Sequence, residues 1–341
     1  MRKPIRRKAV VNLLGALTVL TASLAHGQDY VRTITAAPGH TMNFPQFIAV
    51  DEANGSNIVY SNYTAGSFDV YTSTGAFVRS ITGAFNLPVG VAIDTANGNN
   101  VVGIASGVGV VVFQPDGTPV TSFIPSGANA FVVGYGVAVD TANASNIVVA
   151  DSGNDRIEVF TSTGTFVRSI VGSGANALSD PRDVAVDVAN GSNVLVADYG
   201  NSRIQVFTAN GAYVRTIGAN VLFAPNSVKV DSANDSNVVV SDNSARVFVF
   251  TTTGTLLRII DPPTGAGGND TALSTVNGIA IDTANQSNIL VADAFNNRIQ
   301  VYTDLSIPAR ASPAPVPVLS AWLVLALSVL LAAGGWMVRG G

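Results

Sequence analysis

The chain has no cysteine and only two histidines, His26 and His40, in 341 residues. No disulfide can staple it, and no thiolate can act as nucleophile or metal ligand. Beyond the leader described below, His40 is the only histidine and Lys229 the only lysine, which excludes a histidine-based zinc cluster. A Ser-His-Asp arrangement would have to use His40, and no Gly-x-Ser-x-Gly motif accompanies it. His40 therefore reads as a surface loop residue. Charge is sparse, at 12% of residues against 47% hydrophobic, a balance that supports a large packed core.

Residues 1–27 set Arg2, Lys3, Arg6, Arg7 and Lys8 before an apolar run from Ala9 to Ala25 and a small-residue ending, the pattern of a secretory signal peptide. Its removal takes five of the 18 basic side chains and none of the 22 acidic ones, leaving 13 against 22. That is the wrong sign for a nucleic-acid partner. At the other end, Leu319 to Val338 is an uncharged run of twenty residues, about 30 Å long as a helix and matched to a bilayer core. Residues 318–341 are expected to form a transmembrane helix, preceded by a Pro/Ala-rich linker over 305–317. The single Arg339 after the run leaves the large domain outside the cytoplasm by the positive-inside rule.

Pro317, Leu319, Ser320 and Trp322 stand in an order that resembles the IPTL-CTERM sorting tails of exported Gram-negative proteins. Val318 and Ala321 depart from the Thr and Glu common there, and one terminal arginine replaces the usual basic cluster. The resemblance implies recognition by a membrane sorting peptidase and a periplasmic or cell-surface location. A plain uncleaved anchor is the alternative.

Between these ends the sequence repeats. An apolar run followed by Asp-x-Ala-Asn recurs with its Asp at 51, 94, 140, 187, 231 and 282, spaced 43 to 51 residues apart. Such periods indicate a propeller or solenoid. Each copy holds four short β-rich segments; in the third they are GVAVD, NIVVAD, RIEVF and TFVRSIV. Four strands in each of six copies predict an all-β, six-bladed propeller over residues 28–304. The sixth copy lacks its fourth segment, and Tyr30-Val31-Arg32-Thr33-Ile34 supplies a matching one. The N-terminal strand is thus expected to complete the last blade and close the ring, giving a monomeric disc.

Val-Ala-Asp-x-x-Asn-x-Arg-Ile-x-Val-Phe/Tyr appears at Val149–Phe160, Val196–Phe207 and Val291–Tyr302, with a degraded form at Val240–Phe250. On these motifs nearly all of residues 28–304 resembles the NHL-repeat family. The resemblance implies a six-bladed propeller and is weak for function, because such propellers serve as binding platforms, sensors and occasionally enzymes. The zinc centre of the peptide-amidating lyases that this propeller type also resembles lacks its histidines here.

Eleven residues beyond the anchor Asp, four copies carry Asp151, Asp198, Asp242 and Asp293, and the same four carry Arg156, Arg203, Arg246 and Arg298 at the start of the next strand. The two copies without the Asp lack the Arg as well, so the residues are expected to form cross-strand pairs. A pair repeated four times around a ring is structural rather than catalytic. The Asp-x-Ala-Asn-x-Ser-Asn segments read as tight turns. Calcium is the rival reading for their oxygens, though most turns offer one carboxylate and none forms an Asp-x-Asp-x-Asp-Gly loop. No cofactor is expected beyond that rival. Arg32, Arg79, Arg168, Arg215 and Arg258 recur in the outermost strand and read as a solvated rim whose stems cover apolar surface.

In a propeller the inter-blade loops share one face with the turns between second and third strands. Here that face carries Tyr63, Arg182, Tyr199, Phe223, Asn226 and Phe295, aromatics mixed with Arg and Asn that suit recognition. The long insertion from Asp261 to Thr275 is a contact loop or simple slack. The expected function is an exported, membrane-tethered or surface-sorted module that binds protein, peptide or glycan on this face. One alternative is a propeller lyase or hydrolase with a carboxylate-held divalent metal in the central channel. The other is a structural envelope protein.

Overall fold

The computed structural model describes residues 30–106, 108–260 and 273–303. The signal peptide, the linker, the sorting motif and most of the 261–275 insertion lie outside them. Among the described residues no helix is long and apolar enough to cross a membrane; the segment expected to do so, 318–341, is not among them.

Six four-stranded antiparallel sheets are arranged as blades. Their innermost strands are Pro45–Asp51, Asn86–Asp94, Gly134–Asp140, Pro181–Asp187, Pro225–Asp231 and Val276–Asp282, for blades 1 to 6. Each blade continues outward in sequence order, except the last. Blade 6 takes its outermost strand from Tyr30–Ile34, which pairs antiparallel with Arg298–Tyr302. The ring therefore closes with the chain's own beginning, as the truncated sixth copy predicts.

The second and third strands of each blade are almost wholly buried, as in Asn193–Asp198 and Arg203–Phe207. Their Val, Ile and Phe side chains point alternately to the two neighbouring blades, which is why the runs are apolar on both faces rather than alternating. Six hydrophobic clusters fill the spaces, each built from strands of adjacent blades; one packs Phe47, Phe68, Phe85 and Phe113 between blades 1 and 2. At about 25 cal/mol per Å² of apolar surface, this interlocked burial is what holds a disulfide-free domain together.

The Asp-Asn turns do more than reverse the chain. In all six blades the Asn three residues on donates its Nδ2 to the anchor Asp, at 2.6 to 2.7 Å. In five, the turn serine also donates to the anchor Asp of the preceding blade: Ser145 to Asp94, Ser192 to Asp140, Ser236 to Asp187, Ser287 to Asp231 and Ser56 to Asp282. Those five serines all have φ near +55°, a conformation costing an ordinary residue about 1–2 kcal/mol. Serine fits there because its hydroxyl clasps the preceding blade. The sixth position is Asn99, with φ +60°.

The rim arginines differ from the solvated belt expected of them. Arg79 Nε donates to the Pro115 carbonyl at 2.8 Å, Arg258 Nη1 to that of Thr303 at 3.2 Å, and Arg32 to that of Ser73. Three outermost strands, those of blades 1, 5 and 6, thus reach into the next blade, because a planar guanidinium on a long stem can span the gap between strand and turn.

Candidate functional site

The expected Asp–Arg pairs form in blades 3, 4 and 6. Asp151 to Arg156, Asp198 to Arg203 and Asp293 to Arg298 meet at 2.9, 2.8 and 2.7 Å, with every carboxylate fully buried. Each carboxylate also accepts the backbone N–H of the inter-blade loop nineteen residues earlier, from Val132, Ser179 and Ser274. Arg156 and Arg203 donate onward to loop carbonyls, those of Ala128 and Ala130 and those of Ala175 and Ala177. The pair is therefore a staple that ties the inter-blade loop to the turn between second and third strands. In the fourth copy the third strand begins at Val247, so Arg246 precedes it rather than opening it; Asp242 still accepts from the loop N–H of Phe223. Asn62 does the same work in blade 1, accepting from Asn43 N and donating to the Thr41 carbonyl.

Blade 2 alone carries Ala105 and Gly109 at the staple positions, and a cavity of about 590 Å³ opens there and extends across the channel mouth. Its apolar wall is Leu87, Val89, Ile104, Phe131, Val132 and Val133, from blade 2 and the loop into blade 3. The facing wall is polar: Arg182, Asn226, Asn277 and Gln46, the second residues of four inner strands. Among the described residues Arg182 is the only charged one of the lining. Its guanidinium lies 3.5 Å from the ring centroid of Tyr199 and 5.5 Å from that of Tyr135, and Asp180 Oδ2 accepts from its Nε and Nη2. Two aromatic faces and the Asp180 carboxylate hold the guanidinium at the cavity wall.

Strained backbone shapes the rim. Phe44, Asp180 and Ala224 each precede the proline that opens an inner strand, Leu87 precedes Pro88 inside one, and each has φ between +46° and +55°. A residue before proline is normally extended, so each such position costs roughly 1–3 kcal/mol. Two of them, Phe44 and Leu87, present side chains to the cavity.

Of the six residues expected on the recognition face, Tyr63, Arg182 and Asn226 line this cavity, and Tyr199 supports Arg182 from beneath. Phe223 and Phe295 lie outside the lining and are 60% and 66% exposed. Phe295 reaches the rim only through Phe44, whose ring centroid is 5.3 Å away. Exposed apolar side chains continue the apolar wall outward at Ile124 and Val132, both 65% exposed.

Sequence reading missed the polar centre of the channel. Four residues before the anchor Asp, blades 2, 3 and 6 have Gly90, Gly136 and Gly278, whereas blade 4 has Asp183. Two residues before it, five blades have alanine and blade 5 has Lys229. The two breaks meet: Lys229 Nζ lies 2.5 Å from Asp183 Oδ2, with Asp183 fully buried. Asp183 also accepts from Ser227 Oγ, Val228 N and Val184 N. A Cβ on Gly136 would stand 2.2 Å from Asp183 Oδ1, so the glycine of blade 3 makes room for the acid of blade 4. Below this layer a smaller cavity of about 290 Å³, lined largely by alanine and valine and by Lys229, opens on the opposite face. Comparing the six copies position by position would have exposed both substitutions.

His40 is exposed and stacks on Phe77 with ring centroids 3.6 Å apart; it does not line either cavity. Among the described residues no group of three or more His, Cys, Asp or Glu side chains converges as a metal-binding set.

Residues 178–207, which span the first three strands of blade 4, match the NHL repeat model. No curated protein matches the chain. Solved structures share the fold at low identity. A catalytically inactive virginiamycin B lyase from Staphylococcus aureus with quinupristin is 13% identical, with a TM-score of 0.57 over 81% of this chain and 86% of that one. A streptogramin B lyase is 15% identical, with a TM-score of 0.53 over 81% and 96%. A structural genomics protein of unknown function from Bacteroides thetaiotaomicron is 16% identical, with a TM-score of 0.62 over 82% and 73%. One repeat of the chain thus matches the NHL model within a six-bladed β-propeller, and the likenesses to solved structures extend to fold alone.

Proposed function

We propose that this NHL-type propeller is a binding module whose loop-face cavity takes a peptide or protein segment with aliphatic side chains and a carboxylate. One observation carries the reading: a cavity of about 590 Å³ has one aliphatic wall and one wall of amides, with a single charged residue, Arg182, held flat between two aromatic rings. The volume lies within the range of small-ligand sites, roughly 300–1,000 Å³. Leu87, Val89, Ile104 and Val132 suit aliphatic side chains better than a sugar ring, which favours peptide over glycan. Gln46, Asn226 and Asn277 offer hydrogen bonds to backbone amides, and Arg182 supplies a charge-assisted donor for a carboxylate. The leader and tail read from the sequence would set the module outside the cytoplasm, tethered to or sorted through a membrane.

The enzyme alternative has less to stand on. Its channel metal would need converging carboxylates, and the channel offers Asp183, already engaged by Lys229 and three further donors. The structurally similar lyases are only 13–15% identical, a likeness of fold alone. Selection of a random peptide library on the exported domain tests the reading. Enrichment of aliphatic sequences ending in a free carboxylate, lost on Val132→Asp, is the expected result; enrichment that ignores both features would reject it.

A further inference from the structure

The loops entering blades 3 and 4 share one sequence. Residues 126–130 and 173–177 both read Ser-Gly-Ala-Asn-Ala, and both form a short 3-10 turn, over Gly127–Asn129 and Gly174–Asn176. The same staple contacts hold them, 47 residues apart: Arg156 and Arg203 on the loop carbonyls, Asp151 and Asp198 on the loop N–H groups.

One contact differs. In blade 4, Gln205 Nε2 donates to the Asn176 carbonyl at 3.1 Å, and Gln205 Oε1 accepts from the Thr216 hydroxyl at 3.5 Å. Blade 3 has Glu158 at this register. Its Oε1 accepts from the Ser169 hydroxyl at 3.3 Å and lies 3.0 Å from Arg156 Nη2. Its Oε2 is buried with no hydrogen-bond partner. Where blade 4 places a donor, blade 3 places a bare acceptor.

We propose that Glu158 is a proton-operated latch on the loop 126–133. With a proton on Oε2 it donates to the Asn129 carbonyl, as Gln205 does to that of Asn176. Without the proton, carboxylate and carbonyl oppose each other and the loop loosens. This loop supplies Ala130, Phe131, Val132 and Val133 to the cavity wall, so proton uptake firms the wall against which the proposed ligand packs. The latch itself does not depend on what the cavity binds.

The groups around Glu158 agree with this assignment. Arg156, on the same strand, serves two carboxylates, those of Glu158 and Asp151 on the adjacent strand. Ser169 faces it from the outermost strand. Burial is the largest influence and, together with Asp151, raises the Glu158 carboxyl above the ordinary glutamate value of 4.5, against the lowering effects of Arg156 and Ser169. A carboxyl raised in the folded state stabilises below its unfolded value and loses that contribution as pH rises through the folded one. The latch is therefore closed below the ordinary glutamate value and opens as pH rises through the raised one.

Hydrogen exchange of loop 126–133 in the intact protein, expressed as protection relative to loop 173–180 in the same sample, tests the latch between pH 4.5 and 8. Wild-type protection should fall with rising pH by about tenfold, the scale of one buried group losing its partner. Glu158→Gln should hold the loop protected across the range, and Glu158→Ala should leave it unprotected throughout. Gln205→Glu should transfer the pH dependence to loop 173–180. A wild-type ratio that is flat with pH, or a Glu158→Gln ratio that still falls, overturns the proposal.

Discussion

Replacing Lys229 by alanine should destabilise the domain by about 3 kcal/mol, the lower end of what breaking a buried ion pair costs. The lower end applies because Asp183, although fully buried, keeps three donors: Ser227 Oγ, Val228 N and Val184 N. For a domain of this size that corresponds to a fall in Tm of roughly 6–12 °C. The informative variant is the double one, Asp183→Gly with Lys229→Ala, which installs the residues that other blades carry at those registers. It removes both charges together, so its cost should shrink to about 1–2 kcal/mol, mostly the flexibility of the new glycine and the lost packing. Urea denaturation followed by circular dichroism reads both values, since residues 30–303 contain no tryptophan whose fluorescence could. A double variant whose loss equals the sum of the single losses would refute the reasoning, since the two residues would then not be answering each other.

Two further perturbations probe the frame. Asp198→Ala and Arg203→Ala should each cost about 1–3 kcal/mol, because each leaves buried loop groups without partners, and a double-mutant cycle should return a coupling of at least about 1 kcal/mol; strict additivity would dissolve the staple. Deleting residues 28–36 removes the outermost strand of blade 6 and should yield an oligomeric or unfolded product by size-exclusion chromatography, because the exposed edge of Arg298–Tyr302 would seek another strand. A monomer of unchanged Tm would contradict ring closure.

The architecture was legible because it is written six times. A recurring turn around Asp140 or Asp187 and apolar runs of strand length leave few alternatives, and the incomplete sixth copy disclosed which strand closes the ring. The Asp–Arg pairs were legible through their joint presence and joint absence. Their attachment to the inter-blade loop was not, because Val132 comes to Asp151 only through the pairing of Gly134 with Asp151 across the first two strands of blade 3. The serine clasps were hidden as well: Ser192 looks like a turn residue until its hydroxyl reaches Asp140 of the preceding blade. The rim arginines looked solvated because sequence records a strand's outer position but not the neighbour within reach of a long side chain. Asp183 and Lys229 were visible as exceptions to the repeat, and only the ring geometry makes them meet. The cavity lies beyond any single copy, since its walls come from different blades and its opening depends on what blade 2 lacks.

The account rests most heavily on Arg182 as the carboxylate-reading residue of the loop-face cavity. The direct measurement is the Kd of one aliphatic peptide selected on the wild-type domain, made with a free C-terminal carboxylate and again as the amide, on wild type and on Arg182→Ala. A hydrogen bond to a charged group is worth about 1.5–3 kcal/mol, so wild type should prefer the carboxylate by roughly 10- to 100-fold and Arg182→Ala should bind both forms equally weakly. Equal binding of the two peptides by wild type, or a preference that survives Arg182→Ala, would contradict it.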